Sequence, residues 1–339
     1  MHRLARARSP AKLILSGEHA VVYGKPALAM ATQFYTESVA EMAGSKHIGF
    51  RLPQLQYAKQ VTLATLQTLK NRVQQDYKAF LAGQCGIRAV LKKPAELIQF
   101  TVANLLELKQ VMTQPVNVQT HSTIPMGCGM GSSAALVMSA LKAMGALFEL
   151  SLDDAAYCQL GLEAERLQHG YSSGLDIQLV WQGGCLYFKE GQASPRLMPT
   201  IPLYGVNTGQ PLSTTGDCVM SARVYFMRST IANDFEAVTN ALDVAFSNSD
   251  IKMIQHSVQE NHRLLSRIGV VPAAVCQLIA DLEQAGAAAK ICGAGAVIGD
   301  KAGMVLVIPE NLEAAEAVVQ SHGLRLDRIQ GDPHGTVLC

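Results

Sequence analysis

The sequence is poor in charge and in aromatics. Only 16% of its 339 residues are Asp, Glu, Lys or Arg, 6% are aromatic, and there is one tryptophan. Neither sign of charge is in excess: 28 Lys+Arg face 27 Asp+Glu, a formal net charge of +1. That balance creates no broad field toward nucleic acid or an anionic membrane, so neither is expected as a partner. No apolar run reaches the roughly 18 residues of a membrane span. The basic start, Met1 to Arg8, is not followed by the apolar core of a cleaved leader. The expectation is a cytoplasmic protein. The eight cysteines stand singly, with no Cys-x-x-Cys pair and no histidines at zinc spacing. This excludes a zinc ribbon or dithiol redox motif and points to reduced, mostly buried thiols. Repeats and low-complexity tracts are also missing, which excludes a solenoid.

What is present is a hydrophobic content of 49% over a length that fits two ordinary domains. Ala11–Ser16 is a β-prone run, and Pro26–Ala31 and Phe34–Ala40 read as two further strands. From Tyr57 to Leu81 apolar residues recur at helical spacing, and Pro94 opens a second helix. Val116–Thr120 alternates as a strand. A glycine-rich run then enters a helix that continues to about Leu147. Ser151 with Asp154 reads as a capping box for a helix reaching His169. Strands are expected at Gly184–Phe188, Leu203–Asn207 and Met304–Ile308. Helices are expected at Thr230–Phe246, Asp250–Ile268, Pro272–Ala285 and Leu312–Ser321. The proline-bearing stretch Gly191–Pro202 suggests a domain division, placed at 1–200 and 201–339. Strands and helices mixed in both halves give an α+β class.

Three constellations carry chemistry. The first is Pro125-Met-Gly-Cys-Gly-Met-Gly-Ser-Ser-Ala-Ala135, where Gly127, Gly129 and Gly131 alternate before Ser132 and Ser133 open an apolar helix. Such a loop lets amides curl inward beside a helix N-terminus, which is how a backbone holds polyphosphate. It is not a Walker A loop, because no Gly-Lys-Ser/Thr follows. The second pairs Glu165, near a helix end, with Asp176 beyond a short polar loop. Together they can hold a divalent cation and aim a carboxylate into a cleft. The third is Lys12 inside an apolar strand, followed by Glu18 and His19 in a turn. Read singly, each has a plainer explanation: a tight turn, surface acids, an edge lysine reaching water.

Together they resemble the GHMP kinases, and among these the mevalonate kinase family. Ser9 to Ala29, containing Gly-Glu-His-Ala-Val-Val-Tyr-Gly, is similar to that family's first motif. Pro125–Ala135 is similar to its phosphate loop, and Glu165–Asp176 to the stretch with its metal-binding and catalytic acids. Asn261 to Val270 resembles a helix of its second domain, and Lys290 to Val297 its last glycine loop. The resemblance implies a two-domain fold, ribosomal-S5-like then ferredoxin-like, with the active site in the cleft between. It implies ATP and Mg²⁺, mevalonate as small-molecule substrate and phosphorylation of its primary hydroxyl; the sequence leaves the oligomeric state open, a homodimer included.

By the same resemblance Asp176 would accept the hydroxyl proton and Lys12 would neutralise charge. Ser132 or Ser133 and Glu165 would hold the metal. Glu18, His19, Ser172 and Ser173 would contact the substrate. The nucleotide would lie on Pro125, Gly127, Cys128, Gly129, Met130, Gly131, Ser132, Ser133, Ala134, Gly293 and Gly295. The chain departs from the family pattern at Ala11, at Gly209, Leu212 and Thr215 where basic residues are common, and at Cys292, Ala296 and Val297. Another GHMP small-molecule kinase, acting for example on phosphomevalonate or a sugar, and a non-catalytic ligand sensor of the same fold are the alternative readings.

Overall fold

The computed structural model describes residues 3–44, 46–108, 115–228 and 230–339; Met1 and His2 of the basic start lie outside these. The first half holds β1 (Leu4–Ser16), β2 (Ala27–Met42), β3 (Ile48–Leu52), β4 (Tyr57–Val61), α1 (Leu63–Leu81), α2 (Glu96–Leu108) and β5 (Val116–Ser122). It continues with α3 (Ser132–Leu147), α4 (Asp154–His169), α5 (Leu175–Gln182), β6 (Cys185–Lys189) and β7 (Gln192–Arg196). These strands form one sheet in the order β1-β2-β5-β3-β4, with β6 on the other stretch of β2 and β7 outside it.

The second half contributes β8 (Leu203–Asn207), α6 (Thr215–Arg228), α7 (Ile231–Ser247), α8 (Ile251–Arg267), α9 (Ala273–Gln284), β9 (Ala287–Ile291), β10 (Met304–Pro309), α10 (Leu312–Ser321) and β11 (Leu326–Ile329). Its four strands are antiparallel in the order β11-β8-β10-β9. Numbered within the half this is 4-1-3-2, the ferredoxin-like order, with four helices where one usually stands. The last strand, β12 (Val337–Leu338), returns to pair with β1 in the first sheet.

One core joins the halves. Met304, Leu306 and Ile308 of β10 belong to the same apolar cluster as Leu13 and Leu15 of β1 and Leu141 of α3. The intervening Val305 and Val307 face a second cluster with Val275, Ile279, Ala315 and Val319 of α9 and α10. Side chains alternate across a strand, so a strand covered on both faces reads as an unbroken apolar run. Helix α3 is buried along most of its length against β1 and β2. Ser139, a buried polar residue in its middle, bonds Ser38 of β2 through its hydroxyl at 2.7 Å.

Several sequence expectations change. The two strands at Pro26–Ala31 and Phe34–Ala40 are one strand, β2. Its register against β1 shifts so that Pro10 faces Tyr35 while Ala11 faces Thr32, and this irregularity hides the continuity. The Thr32 side of the irregularity is closed by the tail, with Gln33 N donating to Gln330 O at 2.9 Å. Tyr57–Val61 is not the start of a helix but an edge strand, β4, paired with β3; the helix begins after Thr62, whose hydroxyl accepts from Thr65 N. The cap of α4 is Asp153 rather than Ser151, its carboxylate accepting from Ala156 N at 2.8 Å. Within Gly191–Pro202 lies β7, an edge strand that tolerates Pro195 and is tied to α7 by Arg196 on Asp243 at 2.8 Å.

Candidate active site

A cavity of about 620 Å³ opens between β1, the loop before α3, the end of α4, the start of α5 and two segments of the second half. All five glycines that line it adopt positive φ, and three of them alternate in the loop before α3: Gly127 at 70°, Gly129 at 79° and Gly131 at 70°. At Gly131 a Cβ would lie 2.6 Å from Cγ of Lys12, so the lysine stem runs over the bare glycine. The loop is also bonded to β1, with Lys12 N donating to Met130 O at 2.9 Å. Helix α3 starts at Ser132, and its first internal bond is Ala135 N to Gly131 O. The amides of Ser132, Ser133 and Ala134 therefore precede the intrahelical ladder and carry the positive end of the helix dipole.

Opposite this loop, Lys12 Nζ stands 3.3 Å from Asp176 Oδ1, the lysine side chain 5% exposed and the aspartate 24%. Asp176 is in the first turn of α5, which Gly174 at φ 89° allows to start abruptly, and Ser173 Oγ accepts from Leu175 N. Glu165 is buried at the end of α4, and Ser172 Oγ donates to its Oε2 at 2.8 Å. Burial first, and then the neighbouring Asp176, push the Glu165 carboxyl up to about 8. Glu165 and Asp176 stand close together with Lys12 beside them, which leaves room for a further positive charge.

Of the residues singled out in the sequence, Lys12, Glu18, His19, Gly127, Gly129, Gly131, Ser132, Ser133, Glu165, Ser172, Ser173, Asp176, Gly293 and Gly295 line the cavity. Pro125, Cys128, Met130 and Ala134 do not line it. Cys128 is buried, with its thiol 3.4 Å from Asn207 Oδ1, and Met130 and Ala134 are in the core. Glu18 reaches the wall, but its carboxylate is bound by Lys290. Ser133 Oγ lies 3.4 Å from His169 Nε2, whereas Ser132 has no side-chain hydrogen bond among the described residues.

Sequence reasoning gave no site role to the far wall: Gln168, His169, Tyr171, Arg88 and the 210–215 segment, in which it marked Leu212 and Thr215 only as departures from the family pattern. Arg88 crosses the rim to Asp217 of α6 at 2.5 Å. These residues come together only through the packing of both halves. The departures from the family pattern also find a place. A Cβ at Gly209 would meet Lys301, with Nζ 3.2 Å away, so a cation from another segment stands where the 209 position lacks one. The amides of Val297 and Ile298 donate to Ser213 Oγ at 3.0 and 3.1 Å, which closes that loop on the protein itself.

Buried histidines make the fold acid-sensitive. Burial holds His19 and His262 down to about 4 from an ordinary 6.5, and lowers His169 as well. As pH falls below 6.5 the unfolded chain takes up these protons and the folded one does not. Stability is thus complete above about pH 6.5 and declines toward pH 4, by about 1.4 kcal/mol per pH unit for each of His19 and His262. Thermal melts between pH 7 and 4.5 should show a progressive fall; a level Tm from pH 6.5 to 5 would contradict the buried neutral rings.

The fold is that of a GHMP kinase. Residues 96–184 match the GHMP kinases N terminal domain. The structure of the Methanococcus jannaschii mevalonate kinase superposes with a TM-score of 0.77, covering 98% of this chain and 99% of that one at 20% identity. In sequence the chain is 30% identical to the mevalonate kinase of Pyrococcus abyssi over 308 residues, 87% of each protein. It is 31% identical to that of Thermococcus sibiricus over 302 residues, 85% of this chain and 86% of the relative. The chain belongs to the mevalonate kinase family.

Proposed function

We propose that the protein transfers the γ-phosphoryl group of ATP to the primary hydroxyl of mevalonate, giving 5-phosphomevalonate and ADP. The observation that carries this reading is the Lys12–Asp176 pair at 3.3 Å, set in one cavity with the glycine loop and the N-terminus of α3. The loop amides and helix dipole receive the phosphates. Asp176 orients the substrate hydroxyl and takes its proton as the oxygen attacks phosphorus. The O–P bond forms while the bond from the γ-phosphorus to the bridging β-oxygen breaks, and ADP leaves. Lys12 offsets the charge that builds on the transferred group, and positioning with charge stabilisation supplies most of the rate.

The donor set suits Mg²⁺. Among the described residues no three His, Cys, Asp or Glu side chains gather as a metal cluster. Mg²⁺, however, commonly uses one or two carboxylates and shares the substrate's phosphates. Glu165 and the hydroxyl of Ser132, which has no side-chain partner among the described residues, would hold it. Bound there it would neutralise phosphate charge and favour the ionised form of Glu165.

His19, through its ring, and the Ser172–Ser173 loop would line the acceptor's side. The break between Arg196 and Leu203 supports a domain division near residue 200, with β12 returned to the first domain. No described helix is long and apolar enough to cross a membrane; soluble substrates suit a place in the cytoplasm.

The test is ADP release with Mg²⁺–ATP, comparing mevalonate with galactose, homoserine and phosphomevalonate. Saturable turnover with mevalonate alone is the expected result. Turnover with another of the four would reassign the substrate, and ATP binding without turnover would favour a sensor.

A further inference from the structure

We propose that Lys290 is a positioning residue: with Glu18 it clips the turn bearing His19 to the strand that feeds the Gly293–Gly295 loop, and so sets the spacing between the two walls of the cavity. The inference rests on the catalytic reading above.

Lys290 is the penultimate residue of β9 and is wholly buried. Its ammonium pairs with the Glu18 carboxylate and donates to Ile14 O at 3.2 Å. Both partners lie on the segment that begins with Lys12, so one buried cation bonds the strand and the turn that follows it. A second bond runs beside it, His19 Nε2 donating to Ala294 O at 3.0 Å. That bond leaves the His19 Nδ1 an acceptor, and it is buried without a partner, as is the second Glu18 oxygen. His19 holds this place at φ 60°, a conformation that a non-glycine residue keeps only when its surroundings impose it. The turn is anchored from a third side by Ser16 Oγ, which accepts from Asn261 Nδ2 at 2.9 Å and bonds Thr239 Oγ1 at 2.7 Å.

The far side of the clip reaches the phosphate loop by backbone contact. A Cβ on Gly129 would sit 2.5 Å from Cys292 O, and one on Gly293 would sit 3.0 Å from Gly129 Cα. With no side chain between them, a displacement at the end of β9 passes directly to the loop that faces the phosphates. A buried ion pair is an expensive way to fill space, and an apolar pair would hold the core as well. What the charge pair adds is a defined direction and distance between the acceptor wall at His19 and the nucleotide wall at Gly293 and Gly129.

The experiment compares Lys290→Met, Glu18→Gln and the neutral pair Glu18→Gln/Lys290→Met, each measured for thermal stability, for kcat and KM with both substrates, and for amide exchange. Lys290→Met alone strands a buried carboxylate and is expected to lower Tm sharply or fail to fold; the neutral pair removes that penalty and carries the test. The expected result is a neutral pair that melts near the parent, yet with kcat down about a hundredfold, the cost of misplacing reacting groups by about an ångström. Amide exchange should quicken in residues 17–20 and 291–296 while β10 stays protected. A stable neutral pair with kcat within about threefold of the parent and unchanged exchange in both segments would overturn the proposal, since a merely structural pair predicts that activity returns with stability. The exchange measurement decides the matter even for a protein whose substrate proves not to be mevalonate.

Discussion

Asp176→Asn should lower kcat by about a thousandfold, within the range for loss of a positioned general base, while nucleotide affinity changes by less than about threefold. The asparagine keeps the shape and can still receive a hydrogen bond from Lys12, which stands 3.3 Å away. What it loses is the capacity to take a proton and the negative charge that holds the lysine. About a thousandfold corresponds to about 4 kcal/mol in the barrier. That loss falls on the transition state because Asp176 sits on α5, apart from the glycine loop proposed to receive the phosphates. Rapid-quench or steady-state ADP release gives kcat, and a fluorescent nucleotide titration gives affinity. A fall in kcat of less than about tenfold would remove Asp176 from the role of proton acceptor and leave it an orienting group at most.

Gly129→Ala should weaken ATP use and the fold together. At φ 79° a side chain is strained by about 1–2 kcal/mol in the left-handed region. The added methyl would also stand 2.5 Å from the Cys292 carbonyl oxygen. Backbone cannot swing aside as a flexible side chain can, so the phosphate loop and the Gly293 loop must separate. The KM for ATP should rise about tenfold or more, the equivalent of one lost charge-assisted bond to phosphate, and Tm should fall by several degrees. By contrast, Gly83 has a positive φ but open space around its Cβ position, so Gly83→Ala should show the strain alone and leave the KM for ATP unchanged. A Gly129→Ala enzyme with parental KM and Tm would mean that the two loops do not bear on each other.

The chain made some of this legible and withheld the rest for a physical reason. Glycine alternation at 127, 129 and 131 signals a backbone that only glycine adopts freely, and all three residues do take positive φ. Helix α10 was readable as Leu312–Ser321, and the structure adds its cap, Asn311, whose side-chain oxygen accepts from Ala314 N at 3.1 Å. The acids and the lysine stood out because charged residues are scarce and these fell in apolar or glycine-bounded segments. In each case the cause lies within a few residues, and a local cause leaves a local trace.

The missing parts depend on distant partners. β2 is one strand because β1, β5, β6 and the tail all bond to it, and its own residues show only the break at the register shift. Edge strand β4 was misread because its exposed Ala58, Lys59 and Gln60 pair only with β3 and carry no strand alternation of their own. Sequence alone determined which residue types could bind phosphate and move a proton, and that two α+β halves would carry them, because glycine conformation, helix polarity and carboxylate chemistry belong to the residues themselves. Only the tertiary structure decided that Glu18 is held by Lys290, 272 positions away, and that Gly129 rests on Gly293. Those pairings are set by strand order and by which side chains the shared core brings face to face.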